Sequence, residues 1–242
     1  MFPSLSRSII EMERDWFKPF RRRLRPHSRV RYGDIDVYYK RFLDGGGTGF
    51  GQDFVRLFGS RRMPRQARLF EWCAGPGFIG FSLLAHGFCD TLCLADINPA
   101  AVRTARMTVR RNRLTDRVAG YRSDNLEDIP PAERWNVIVS NPPHFDEAAV
   151  ESEIKLYDGA WQLHRDFFDD VPRFLAPNGV IVLQENNQGA TAETFRPMAE
   201  AAGLRVVLVE NCRGALTAEP NYFYVGLMRA GDAAPDWVSQ PS

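Results

Sequence analysis

Phe70-Glu71-Trp72-Cys73-Ala74-Gly75-Pro76-Gly77-Phe78-Ile79-Gly80 decides how this chain reads. Apolar residues run into the stretch from Ala67 and a helical pattern leaves it, which predicts a strand, a tight glycine turn and the start of a helix. Gly75 and Gly77 permit a sharp bend and let the backbone come close to a ligand. The unpaired N–H groups at the start of the helix turn partial positive charge toward the same place. A turn of this kind serves many ligands, so its meaning depends on how the neighbouring strands end.

Working outward, strands are predicted at 68–73, 91–95, 118–121, 135–140, 179–184, 204–210 and 221–229, with helices at 78–87, 98–112, 159–175 and 191–202 between them. Regular alternation of this kind predicts an α/β fold with a largely parallel sheet covered on both faces. The last two strands are joined by a loop with no crossover helix, so they must run antiparallel. The expected architecture is a seven-stranded, mostly parallel sheet closed by a C-terminal antiparallel hairpin. Its boundaries are expected at 66–230, with an N-terminal extension over 1–65 and a frayed tail over 231–242.

Within the extension, Ser6 or Ser8 caps a predicted helix carrying Ile9, Ile10, Met12, Trp16, Phe17 and Phe20, with a kink or stop at Pro19. Lys18, Arg21, Arg22, Arg23, Arg25, Arg29 and Arg31 follow as a basic cluster, either a solvated face or an RNA- or phosphate-binding patch. Val30 to Tyr39 reads as a short hairpin around Gly33-Asp34. The glycine-rich run from Leu43 to Gly51 reads as a mobile loop, a lid or a linker, leading into a short helix at 52–58.

At 242 residues and 44% apolar content the chain buries a substantial core without staples. A net charge of +1 argues for no polyanionic partner on global grounds. Cys73, Cys89, Cys93 and Cys212 have no disulfide-framework spacing, and Cys89 and Cys93 read as ordinary buried cysteines. No apolar run reaches the ~18 residues of a membrane span, and the start lacks a signal-peptide core, so a soluble, cytoplasmic chain with no membrane partner and no metal is expected.

In open parallel sheets, ligands bind beyond the carboxyl ends of the strands. The first strand ends at Glu71, placed either to receive an ammonium group or to orient the glycine turn. The second ends at Asp96-Ile97-Asn98, about twenty residues beyond the turn, where a carboxylate accepts from both ribose hydroxyls. Asp96 and Asn98 compete for capping the next helix. The third strand leads to Ser123-Asp124-Asn125, where Asp124 accepts from an adenine amine with Asn125 at the ring edge, or simply turns the loop. The fourth ends Asn141-Pro142-Pro143-His144-Phe145. An amide oxygen and the adjacent main-chain carbonyl can take two N–H bonds from one amine, and the two prolines hold that geometry without offering a competing N–H. With both hydrogens held, the nitrogen lone pair points at an electrophile.

Glu71, Gly75-x-Gly77, Asp96, Ser123-Asp124, Asn141-Pro142-Pro143 and the final hairpin together resemble the class I S-adenosylmethionine (SAM)-dependent methyltransferases over residues 65–230. The Asn-Pro-Pro motif is similar to that of amino-type N-methyltransferases acting on adenine, guanine or glutamine amides. The resemblance implies SAM as co-substrate, with Glu71, Ala74, Gly75 and Gly77 around its methionine part, Asp96 and Ile97 at its ribose, Asp124 and Asn125 at its adenine, and Asn141 touching both cofactor and amine. Pro142, His144 and Phe145 join Asn141 as candidate catalytic residues. The family places Tyr or Phe directly after the prolines, to stack on a planar target. Here His144 holds that position, and it stacks, acts as a base or packs, with Phe145 as an alternative ring.

Further along, Trp161, His164 and Phe168 share one helical face, expected to pack on the sheet, and Gln184-Glu185-Asn186-Asn187 ends the fifth strand with polar groups, one of them a candidate for substrate contact. Tyr222 and Tyr224 border the pocket or belong to the strand core. The expected function is N-methyl transfer to a small molecule closed under the N-terminal segment, with a nucleobase or protein side chain less favoured and an oligomer through that segment left open. The alternative is a SAM cyclase resembling azetidine-2-carboxylate synthases, in which SAM's own α-amine attacks its γ-carbon and releases methylthioadenosine. A non-catalytic SAM-binding protein is the third reading.

Overall fold

The computed structural model describes residues 27–44, 47–146, 157–212 and 221–239. A hairpin of β1 (Ser28–Tyr32) and β2 (Ile35–Tyr39) is followed by α1 (Gly47–Ser60), β3 (Gln66–Glu71), α2 (Phe78–Ala85), β4 (Cys89–Asp96), α3 (Pro99–Arg111) and β5 (Val118–Arg122). The second half contains β6 (Trp135–Ser140), α4 (Gln162–Asp170), β7 (Leu175–Asn186), α5 (Ala192–Ala201), β8 (Leu204–Asn211), β9 (Tyr222–Arg229) and a short α6 (Asp236–Ser239). The main sheet has seven strands in the order β5-β4-β3-β6-β7-β9-β8. β9 runs antiparallel to both its neighbours, β7 and β8, and the remaining pairings are parallel.

That order sets the site. From β3 the chain steps outward to β4 and β5, then returns across the starting strand to β6, so the connections diverge between β3 and β6. A crevice opens where two connections leave in opposite directions. The register places Glu71 opposite Val139, which brings the glycine turn and the Asn-Pro-Pro segment side by side. The Trp72 N–H donates to the Val139 carbonyl at 3.0 Å, and the Ser140 hydroxyl donates to the Trp72 carbonyl at 2.7 Å, tying the two strand ends together.

β6, the apolar Trp-Asn-Val-Ile-Val-Ser, is buried on both faces, as a central parallel strand must be. One face is covered by α1, α2 and α3, with Phe54, Phe58, Phe81, Leu92 and Val137 in contact, and the other by α4 and α5, with Phe167, Phe168 and Phe195. Phe70 and Trp135 stack at 3.9 Å, as do Trp72 and Phe167. The sequence of α2, Phe-Ile-Gly-Phe-Ser-Leu-Leu-Ala, has no polar face because the helix lies between the sheet and α1.

Two expectations for the chain ends are corrected. The glycine run is no mobile loop from residue 47 onward, because α1 begins at Gly47 and runs past the predicted 52–58 helix in both directions. Its glycines make a contact surface: a Cβ on Gly51 would lie 2.5 Å from the Phe78 carbonyl oxygen and 2.8 Å from the Ser82 Cβ. The expected frayed tail is ordered through residue 239. Trp237 packs edge-on against Phe58 at 5.6 Å, and the buried Arg61 donates to the carbonyls of Trp237 and Val238 while pairing with Glu210. The β1–β2 hairpin forms as expected and is fastened to α3, with the Asp36 N–H on Asn112 Oδ1 at 3.0 Å and the Tyr38 N–H on Thr108 Oγ1 at 2.9 Å. Residues 28–60 are thus a layer of the same body. The predicted helix over Ile9–Phe20 and the basic residues Lys18 to Arg25 lie outside the described residues.

Gly51→Ala is expected to destabilise the fold by about 1–3 kcal/mol through overpacking against Phe78. Gly59→Ala, on the same helix with open space around its Cβ, is expected to be neutral or to stabilise by about 0.4–1 kcal/mol. Denaturant melts of the two variants check both, and equal midpoints would dismiss the α1–α2 contact as a constraint.

Candidate active site

The glycine turn takes its shape from two buried carboxyls. The Glu71 side chain, at the end of β3, accepts the N–H of Ile79 at 3.2 Å and of Gly80 at 2.7 Å, fixing the first turn of α2 onto the sheet. Asp96 at the end of β4 accepts the Gly75 N–H on one oxygen and the Asn98 N–H on the other, each at 2.7 Å. Gly75 and Gly77 have φ of +54° and +87°, as the sequence requires of them. Burial pushes the Glu71 carboxyl up to about 8, opposed by the two N–H bonds and reinforced by Asp96. Burial raises Asp96 as well. Helix capping falls to Asn98, whose Oδ1 accepts the Ala100 N–H at 2.9 Å, and Asp96 is left to face the crevice.

The crevice is a cleft of about 610 Å³ over the ends of β3, β4, β5 and β6. Of the residues predicted for the site, Glu71, Ala74, Gly75, Asp96, Ile97, Asp124, Asn125, Asn141 and Pro142 all line it. Asn125 sits at φ +46° and donates from Nδ2 to the Leu163 carbonyl at 3.2 Å, linking the β5 end to α4. Asn141 donates from Nδ2 to the Gln184 carbonyl at 3.1 Å, which fixes the amide plane and leaves Oδ1 as an acceptor.

Gly77, His144 and Phe145 do not line the cleft. A Cβ on Gly77 would meet the Phe81 ring at 2.8 Å, so this residue shapes the turn from behind. His144 is 2% exposed, and burial pushes its ring down to about 4, the Pro142 main chain opposing, so it is neutral near pH 7. It stands edge-on to Phe145 at 5.1 Å and to Tyr222 at 5.9 Å. The expectation that His144 stacks on a substrate or serves as its base is corrected: it packs. The reason is Gly189, where a Cβ would collide with the His144 carbonyl oxygen, so the loop lies flat against the turn after β7.

Gln184, Glu185 and Asn186 are buried and do not line the cleft. Their work is done from behind it. Trp161, His164 and Phe168 pack inward, and His164 joins two carboxyls there. Its Nδ1 lies 2.6 Å from Asp158 Oδ2 and its Nε2 3.3 Å from Glu185 Oε1. Burial by itself lowers the His164 ring, but the hydrogen bonds and charges of Asp158 and Glu185 outweigh it and raise the group to about 9. Asp158 also accepts the N–H of Leu163 at 2.8 Å and of His164 at 3.2 Å, capping α4. Tyr224 belongs to the strand core, 3% exposed. Sequence reasoning missed Phe42 and Tyr157, which line the mouth of the cleft at 67% and 40% exposure. Neither belongs to a periodic pattern, and an aromatic beside a glycine run was the one available signal for Phe42.

Seven strands in this order, with a glycine turn after the first parallel strand, an acid ending the next and Asn-Pro-Pro ending the fourth, define the Rossmann-like fold of class I SAM-dependent methyltransferases. The chain belongs to the Methyltransferase small domain family, whose sequence model matches residues 54–207. It is 26% identical over 129 residues to the ribosomal protein uL3 glutamine methyltransferase of Francisella tularensis, covering 48% of this chain and 40% of that one. It is 34% identical over 88 residues to the tRNA1(Val) (adenine(37)-N6)-methyltransferase of Actinobacillus pleuropneumoniae, covering 36% and 37%. The chain therefore spans less than half the length of either relative. The glycopeptide N-methyltransferase MtfA in complex with SAM shares the fold at a TM-score of 0.56 and 13% identity, over 76% of this chain and 94% of that one.

These relatives overturn the expectation of a small-molecule partner, since the two sequence matches are named for acceptors in a ribosomal protein and a tRNA. That expectation rested on a glycine-loop lid, and from residue 47 the run is instead built into α1. Among the described residues no helix is long and apolar enough to cross a membrane.

His164 is held at about 9 against an ordinary 6.5, so its contribution to stability is full below about 6.5 and is lost as pH rises through about 9. Thermal midpoints of the wild-type chain are expected to fall across that window. Those of His164→Gln are expected to start lower and to lack this limb, with Glu71 common to both. Parallel pH curves for the two proteins would show that His164 is neutral in the fold.

Proposed function

We propose that this chain transfers the methyl group of SAM to an N–H nitrogen of a macromolecular acceptor, a glutamine amide or a nucleobase amine. The observation that carries this is Asn141. One of its two Nδ2 hydrogens goes to the Gln184 carbonyl, which fixes the amide and leaves Oδ1 as an acceptor at the crevice edge beside the glycine turn. Pro142 and Pro143 follow along the same wall and contribute no N–H to compete with the acceptor's. The two relatives are named for glutamine and for adenine N6, and both groups present an NH2 on a planar, conjugated carbon.

The residues present fit SAM. Open space faces Gly75, where a Cβ would meet nothing within 4 Å, so the backbone is free to meet the methionine part, with Glu71 beneath it. Each Asp96 oxygen keeps a lone pair after its backbone bond, suited to a ribose diol. Asp124, exposed beside Asn125, suits the adenine amine. Bound SAM supplies a methyl group activated by its sulfonium. With both acceptor hydrogens engaged, one by Asn141 Oδ1 and one by the Pro142 carbonyl, the nitrogen lone pair is directed at that carbon. The N–C bond forms as the S–C bond breaks, S-adenosylhomocysteine departs, and the extra proton leaves to water. Because His144 is neutral and outside the cleft, positioning carries the rate.

Methyl-labelled SAM offered with bulk tRNA or with dissociated ribosomal proteins tests the reading. Label in one acceptor and equimolar S-adenosylhomocysteine are expected. Asn141→Ala is expected to lower kcat about tenfold or more while leaving SAM affinity near wild type, since an unmet N–H at the reacting amine costs about 1–3 kcal/mol. Asp96→Ala is expected to weaken SAM binding itself by calorimetry. Methylthioadenosine formed from SAM alone would instead establish internal attack by the methionine amine, and the transfer reading would fall.

A further inference from the structure

We infer that Tyr157 is the flat surface on which the planar acceptor lies, and that the buried His164–Asp158–Glu185 group positions it. The inference rests on the transfer reading and names how its acceptor is gripped. Five aromatic rings line the cleft, and Phe50, Trp72 and Phe78 are committed to the core at 4% exposure or less. Phe42 and Tyr157 remain open to a ligand. Tyr157 stands on the wall that carries Asn141: its backbone pairs with Phe145, and the next residue, Asp158, donates its N–H to the Phe145 carbonyl at 2.7 Å. An amide or a base held only by its N–H groups is free to tilt about those bonds, and an aromatic face against its π-surface removes that freedom. His144, inside the Asn-Pro-Pro loop, is packed away and cannot supply this face.

A continuous chain of bonds explains how Tyr157 keeps its place. Asp158 holds the N–H groups of Leu163 and His164 and the His164 ring, and that ring reaches Glu185 on β7. The neighbour of Glu185 is Gln184, whose carbonyl orients Asn141. The amide that grips the acceptor nitrogen and the ring beneath the acceptor plane are thereby referenced to two adjacent residues of one central strand. An apolar trio would hold α4 to β7 as firmly, and at lower desolvation cost. What charged hydrogen bonds add is direction. The ring itself lies across Gly159, where a Cβ would come within 2.9 Å of the Tyr157 hydroxyl.

The test measures half-saturating acceptor concentration and kcat separately, using whichever of bulk tRNA or dissociated ribosomal proteins the wild-type chain methylates. Tyr157→Ala is expected to raise the half-saturating concentration about tenfold or more with kcat within about threefold and SAM affinity unchanged. Tyr157→Phe is expected to match wild type, and Gly159→Ala, which displaces the ring without altering it, to resemble Tyr157→Ala. His164→Gln is expected to reproduce the same split, and the double variant Tyr157→Ala/His164→Gln to be no worse than Tyr157→Ala alone. Unchanged acceptor saturation in Tyr157→Ala overturns the platform and leaves methyl transfer standing. A His164→Gln protein that loses SAM affinity and acceptor affinity together overturns the positioning role. Methylation of neither acceptor by the wild-type chain removes the transfer reading and this inference with it.

Discussion

The Glu71 carboxyl, buried at the end of β3, accepts two N–H groups from the first turn of α2, and the cleft depends on that contact. The start of a helix has N–H groups with no partner inside the helix, and burying them unmet is costly. Here a strand residue supplies the acceptor. The helix therefore cannot rotate or slide on the sheet, and the intervening turn is held at both ends. A Cβ on Gly80 would reach within 2.7 Å of the same carboxyl, so the bond also requires that α2 press directly on the strand end. Asp96 repeats the arrangement one strand over, through the N–H of Gly75.

The same economy governs the other side of the cleft. Behind the Asn-Pro-Pro loop, buried polar groups are bonded in series from Asn141 through β7 to His164 and Asp158, while Gln184 Oε1, Glu185 Oε2 and His144 Nδ1 have no hydrogen-bond partner among the described residues. The cleft thus has two walls of different character. One is made of backbone N–H groups turned toward the Glu71 and Asp96 carboxyls. The other is made of an amide, two prolines and an exposed ring, backed by the buried His164, Asp158 and Glu185. Two walls meet because β3 and β6 are neighbours in the sheet while being far apart in the chain.

The legible part of this architecture was periodic or local. Seven strands and the helices between them follow from alternating apolar runs, and the antiparallel β9 follows from the lack of a crossover before it. Glu71, Asp96, Asp124 and Asn141 each stand at the end of a recognisable strand, where chemistry belongs in such a sheet. Contacts distant in sequence were not legible. Gly47 and Gly51 look like loop residues until α1 is seen pressed against Phe78. The tail looks frayed until Arg61 is found holding Trp237 and Val238. Tyr157 carries no pattern because its neighbours in space, Phe145 and the cleft, are supplied by another part of the chain.

The amino-acid sequence by itself determined the class of fold, the glycine turn and the identity of the polar groups at the strand ends, because strand and helix periodicity and turn chemistry act over a few residues. Tertiary structure alone decided what those groups do. Burial beside Phe145 and Tyr222 turned His144 from a candidate base into a neutral core residue. Hydrogen bonds to the Asp158 and Glu185 carboxyls turned His164, expected to pack on the sheet, into a group held above its usual pKa behind the site. A side chain's charge and direction are set by which atoms surround it, and those atoms come from strands that only the folded sheet brings together.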